Sequence, residues 1–194
     1  MTDLDLITLL AVRLRSRGPL SAVTATVGDL LDDAAPARSR EIGAIVERMI
    51  DRGQVRQRGD EHRLSLTPSG EAELAARLAA DIAGPDRAEA TTAYEAFLPV
   101  NRRFLVACVS WQANPDDVSV LAELVNELGP IVAALSRIRY RFASYPARMA
   151  AALSQADDDR RWIDSPTLDS VHTAWFELHE HLLATLGRER ADER

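Results

Sequence analysis

Arginine supplies the most concentrated chemistry in this 194-residue chain. Between positions 38 and 63 stand Arg38, Arg40, Arg48, Arg52, Arg56, Arg58 and Arg63, opposed by Glu41, Glu47, Asp51, Asp60 and Glu61. The segment is thus locally positive in a chain whose net charge is −7. Guanidinium groups hold phosphates and base edges through paired N–H donors. Arg38 and Ser39 stand where a helix would begin, beside backbone N–H groups free to meet a phosphate. Arg40, Ala44 and Arg48 share one helical face, on which the small Ala44 lets the backbone come close to a partner. Arg56, Arg58 and Arg63 fall in a strand-like stretch suited to contacts with a nucleic-acid backbone. The overall acidity excludes broad nonspecific coating of nucleic acid, though not one local basic surface. Interspersed Glu41, Glu47, Asp60 and Glu61 keep a second use open, docking on a protein.

A different set lies in the second half. Trp111, Trp162, Trp175 and Phe176 offer apolar walls, and Asn101, Gln112, His172 and His179 offer polar points, the composition of a small-organic-ligand site. An inward Asn101 needs a partner from a neighbouring helix or from a ligand. His172 and His179 are seven residues apart, a rise of about 10.5 Å on a helix. Zinc ligands lie about 2.0–2.1 Å from the ion, so the two cannot share one metal; buried, hydrogen-bonded imidazoles are the plainer use. Glu177 and His181, spaced i,i+4, read as a solvated pair on a polar face. Arg137 and Arg141 have the same spacing and would hold an acid or pair with Glu123 or Glu127. The single cysteine, Cys108, reads as a packed thiol; it excludes a disulfide framework and suits a reducing cytoplasm. No Gly-rich phosphate loop, His-Glu-x-x-His or Gly-x-Ser-x-Gly occurs, so no catalytic residue, cofactor or metal is expected.

The elements that must position these groups follow from periodicity. Alanine and other helix formers dominate and aromatics make up only 5%, so the fold should be mainly α. Leu4, Ile7, Leu10, Ala11 and Leu14 mark a first helix ended by Gly18-Pro19. Leu20 to Ala25 alternates and reads as a brief strand, after which Thr26 caps a short second helix to about Asp32. A third helix starts near Pro36 and carries the stripe Ile42, Ile45, Val46, Met49 and Ile50 up to Gly53. Val55 to Arg58 and His62 to Leu66 flank a Gly59-Asp60-Glu61 tip as a hairpin. Thr67-Pro68-Ser69-Gly70 then opens a helix through Leu74, Leu78 and Ile82.

That order, with Met49-Ile50-Asp51-Arg52-Gly53-Gln54-Val55 leading to Leu64-Ser65-Leu66-Thr67-Pro68-Ser69-Gly70, resembles the winged helix-turn-helix regulators of the MarR and PadR type. The resemblance covers about residues 4–82. It implies double-stranded DNA as the partner, with the third helix in a major groove and the hairpin as a wing on the backbone. It leaves room for a winged-helix subunit that docks on a partner enzyme without DNA.

Splitting at Gly84-Pro85 gives an N-terminal domain, 1–84, and an all-helical domain, 85–194. Helices are expected over 86–112, 116–128, 131–143, 146–156 and 166–186, separated at Asn114-Pro115-Asp116, Gly129-Pro130, Tyr145-Pro146, Asp157-Asp158-Asp159 and Ser165-Pro166. Pro99 should kink or split the first of these near Ala96. In the last, Leu168, Val171, Trp175, Leu178 and Leu182 form a 3-4-3-4 seam beside a row of His172, Phe176, His179 and Leu183. So wide a face predicts a homodimer through 166–186, with a cavity for a small organic effector between this helix and 86–112. The stretch Asp169 to Glu180 resembles C-terminal segments of actinobacterial winged-helix proteins, some linked to enzymes that use phosphoenolpyruvate or pyruvate. No run reaches about 18 uninterrupted apolar residues, so no membrane span is expected.

Overall fold

A computed structural model describes residues 3–31, 38–59, 62–113 and 118–190. The expected helix start at Pro36, the Asp60-Glu61 tip and the Asn114-Pro115-Asp116 break lie outside the described residues. The fold is mainly α with one two-stranded antiparallel hairpin. It divides into two compact units, Met1–Ala83 with Leu183–Arg194, and Gly84–Leu182.

In the first unit, α1 (Leu4–Leu14) is capped by Asp3, whose carboxylate accepts the Leu6 N–H at 3.1 Å. The stretch read as a strand is helix: α2 runs Leu20–Leu31. Val23, Thr26, Val27 and Leu30, spaced i, i+3, i+4, i+7, are its buried residues, a period that overrides the short alternation seen locally. Thr26 is therefore no cap but a buried side chain whose hydroxyl accepts Arg15 Nε at 2.8 Å. Only Gly18 is extended, bridging antiparallel to Leu64. Helix α3 (Ser39–Asp51) buries Ile42, Ile45, Val46 and Met49. It ends in a left-handed Gly53, φ +69°, with Gly53 N–H on the Ile50 carbonyl and Gln54 N–H on the Met49 carbonyl, the two bonds that close a helix C-terminus.

Strands β1 (Val55–Arg58) and β2 (Arg63–Leu66) pair with Val55 opposite Leu66 and Arg58 opposite Arg63. Thr67 then caps α4 (Pro68–Asp81), accepting the Gly70 N–H at 3.1 Å while its hydroxyl donates to the Gly53 carbonyl at 2.6 Å. Gly70 is required there, since a Cβ would stand 2.0 Å from the Gln54 carbonyl oxygen. One core joins α1–α4 and the hairpin through Leu9, Leu10, Val27, Ile42, Leu64 and Leu74.

In the second unit, α5 (Gly84–Ala113) runs unbroken through Pro99, and α6 (Ser119–Ile138) runs unbroken through Gly129-Pro130. The expected split at Ala96 and the expected break at 129–130 are both absent. Pro99 and Pro130 are exposed, as are Glu95 and Asn126 four residues before them, so water can take the carbonyls that proline leaves without a donor. A 3-10 turn (Tyr140–Phe142), α7 (Ser144–Ala156) and a short α8 (Arg161–Asp164) follow. The last helix, α9, spans Val171–Leu186 and so starts later than expected. Ser170, not Ser165, caps it by accepting the Thr173 N–H at 3.2 Å. By length and mean apolarity α6 alone among the described helices could reach across a bilayer. It buries Leu121, Leu124, Leu128, Val132 and Leu135 and ion-pairs Glu127 with Arg103.

Candidate functional site

The arginine-bearing surface is built on α3 and the hairpin. A Cβ at Gly43 would meet Leu20 Cδ2 at 3.8 Å, so α2 crosses α3 closely at this small residue. Opposite the buried stripe, Ser39, Arg40, Ala44 and Arg48 are exposed, with Arg38 half-buried at the helix start. Arg40 forms no ion pair or hydrogen bond among the described residues. Arg48 is occupied: it reaches Asp5 at 3.5 Å and its own helix at the Ala44 carbonyl, 3.3 Å. Exposed Glu41, Glu47 and Asp51 share the helix.

On the hairpin, Arg56 Nε donates to Ser65 Oγ across the strands at 3.0 Å. Arg58 and Arg63 stand directly opposite each other, both exposed. Arg63 Nη1 donates to the Arg17 carbonyl at 3.2 Å, and Arg17 N–H donates to the Leu64 carbonyl at 2.8 Å. Arg17, exposed with a left-handed φ of +67°, thereby joins the hairpin arginines. Sequence reasoning missed it because 46 residues separate Arg17 from Arg63 and only the Gly18–Leu64 bridge brings them together.

The expected ligand set of the second half is not one opening. Trp175 Nε1 donates to Asn101 Oδ1 at 2.9 Å, and the Trp175 and Phe104 rings stack with centroids 3.8 Å apart. His179 packs on Phe97 at 5.2 Å, and half-buried His172 lies between Phe104 and Phe176 at 6.4 and 4.8 Å. Burial lowers the His172 pKa against the opposing pull of Asp164. Gln112 is exposed and takes no part. Leu105, on the same helix, is exposed as well. Of the seam residues, Val171, Trp175, Leu178 and Leu182 are buried within the chain and Leu168 is half-buried.

Two buried charged networks stand in place of the solvated pair expected of Glu177 and His181. Glu177 and His181 are buried, and the solvent line of α9 instead carries Phe176. Arg148 donates to both Asp169 oxygens at 3.0 and 2.6 Å and to Glu177 Oε2 at 2.5 Å. Burial works against the Arg148 cation, but the two carboxylates hold its pKa well above the ordinary value. Arg141 Nε donates to His181 Nε2 at 3.1 Å, and Tyr145 Oη lies 3.1 Å from Nδ1. With Nε2 accepting, the imidazole proton sits on Nδ1 and is donated to Tyr145. Burial and then the Arg141 charge hold His181 well below its usual pKa, so it is neutral. Arg137 pairs with Glu89 at 3.5 Å, not with Glu123 or Glu127, which lie on the same helix about 15 Å or more away; Arg141 no longer shares its face, because the chain leaves the helix after Ile138.

An opening does exist elsewhere in this unit. A groove of about 610 Å³ between α5 and α6 is lined by Trp111, alone of the expected ligand residues, together with Arg102, Val106, Ser110, Val120 and Leu124. Nearby Cys108 is buried, and burial, helped by Asp164, pushes its thiol up to about 11, leaving it inert at neutral pH. Among the described residues no group of three or more histidine, cysteine or carboxylate side chains could hold a metal ion. No protein-family model, curated protein or solved structure matches the chain.

Proposed function

We propose that the chain is a DNA-binding transcriptional regulator, with the first two turns of α3 entering a major groove and the hairpin lying on the phosphate backbone. The observation that carries this proposal is the cross-strand pair Arg58–Arg63 with Arg17 beside it. Arg17, Arg58 and Arg63 are all exposed, so a phosphate backbone laid along the hairpin can reach each of them. Arg40, open on the neighbouring helix, supplies a candidate base contact. The regulator is proposed to act as a homodimer, since duplex sites are commonly read as paired half-sites, and a lone buried thiol accords with a cytoplasmic setting.

The test is binding to duplexes selected from a random library and to the DNA upstream of the chain's own coding sequence. Arg40→Ala should weaken the selected site by about 1–3 kcal/mol, relaxing preference at one position. Arg58→Ala should weaken all sequences alike and reduce the salt slope by about 1. Absence of salt-dependent binding to any duplex would remove the proposal. A second reading, a domain that docks on a partner enzyme, draws on exposed Glu41, Glu47 and Asp51 along α3 and on the engagement of Arg48 with Asp5.

A further inference from the structure

The groove between α5 and α6 combines a size and a chemistry that no contact among the described residues explains. Its volume of about 610 Å³ lies in the range of small-ligand sites. Val106 and Val120 face it while 66% and 50% exposed, apolar surface left uncovered on both walls. Trp111 also lines it, only 8% exposed, and its indole N–H has no hydrogen-bond partner. A buried indole N–H ordinarily finds an acceptor, so this donor marks where a polar atom of a ligand belongs.

The arginines at one end divide the same way. Arg103 is clamped, its two terminal nitrogens on the two Glu127 oxygens at 2.9 and 2.6 Å. Its neighbour Arg102 lines the groove and makes no ion pair or hydrogen bond among the described residues. Arg102 and Ser110 are eight residues apart on α5, a rise of roughly 12 Å. The α5 wall thus presents a cation at one end, Val106 between, and the neutral donors of Ser110 and Trp111 at the other. Glu123, on the α6 wall, acts electrostatically on Arg103, as does Glu127, so these two acids are answered by Arg103.

We infer that this groove binds an elongated amphipathic carboxylate. The carboxylate pairs with Arg102, the hydrocarbon body covers Val106, Val120 and Leu124, and a hydroxyl or carbonyl oxygen at the far end accepts the Trp111 N–H. Such a ligand would be the effector of the proposed regulator. That consequence rests on the DNA-binding proposal; the binding does not, and it is measured without DNA so that the two can fail separately.

The experiment is isothermal calorimetry of the full chain with 10-hydroxydecanoate, decanoate and decanol, each below its micellar concentration. 10-Hydroxydecanoate should bind saturably and most tightly. Arg102→Met should weaken both acids about tenfold or more and leave decanol unchanged. Trp111→Phe should remove the advantage of 10-hydroxydecanoate over decanoate, and Val106→Trp should fill the groove and abolish binding of all three. Circular dichroism of each variant checks folding, and the surface change at Arg102 keeps the test decisive where Trp111→Phe fails to fold. Lack of saturable heat, or equal acid affinity in Arg102→Met, overturns the inference. So does conversion of a sedimenting dimer to monomer by Val106→Asp, which would make the groove a contact between copies.

Discussion

Replacing Arg148 by Met removes the cation that Glu177 faces inside the second unit. The Arg148 side chain is 10% exposed and that of Glu177 is 3% exposed, so their pair is hardly screened by water. Asp169, at 41% exposure, is well solvated and adds little to the balance. Breaking a buried pair from one side leaves an uncompensated charge and costs about 3–5 kcal/mol. With a urea m-value of about 2 kcal/mol/M, the unfolding midpoint should fall by about 2 M. Tryptophan fluorescence is the appropriate assay, because Trp111, Trp162 and Trp175 all belong to the unit Gly84–Leu182. The loss should shrink as pH falls. In the variant, desolvation raises the folded-state pKa of Glu177 above its unfolded value near ~4.3. The penalty is therefore absent below the unfolded value and full above the raised folded one. Adding Glu177→Gln removes the stranded charge and should recover at least about 2 kcal/mol at pH 7. A single variant within about 1 kcal/mol of wild type, or strictly additive effects in the double variant, would refute the claim that this pair is energetically buried.

Two further outcomes test the other networks. His181 is neutral when folded and charges readily when unfolded, so stability of the second unit should decline as pH drops below about 6.5, by at most about 1.4 kcal/mol per pH unit for one proton. The decline should be smaller in His181→Gln, measured by urea midpoints at pH 7.0 and 5.5; an equal decline in both would assign it elsewhere. Gly70→Ala places a Cβ against the Gln54 carbonyl and should lower stability of the first unit by about 2 kcal/mol or more, read by far-ultraviolet circular dichroism. A neutral effect would mean that the α4 start can move away from Gln54.

Much of the first unit was legible because its signals are local. The stripe Ile42 to Met49, the stop at Gly53, the hairpin and the Thr67 cap each occupy a few adjacent residues, and each is present. The strand expected over Leu20–Ala25 is a short alternating stretch inside the longer helical period of Leu20–Leu31, and the longer period prevails. The split at Ala96 and the break at Gly129-Pro130 are absent for a related reason. Proline removes one helix donor and crowds the preceding turn; a helix can continue through it where the freed carbonyl meets water, and that depends on which face the neighbouring helices cover.

The candidate sites divide along the same line. Composition and spacing alone determined a mainly α chain, a concentration of arginine around the third helix and hairpin, and a densely apolar last helix. Only tertiary structure decided which of those groups meet. Arg17 reaches the hairpin through one backbone bridge, His181 and Glu177 become buried because Arg141 and Arg148 arrive from distant turns, and Asn101 is consumed by Trp175. An opening lies between α5 and α6, where Trp111 alone of the expected ligand residues takes part. The physical reason is that a charged or polar side chain is tolerated inside only where a partner comes to it. A helical period tells which residues share a face, whereas the partner for that face is chosen by chain folding over tens of residues.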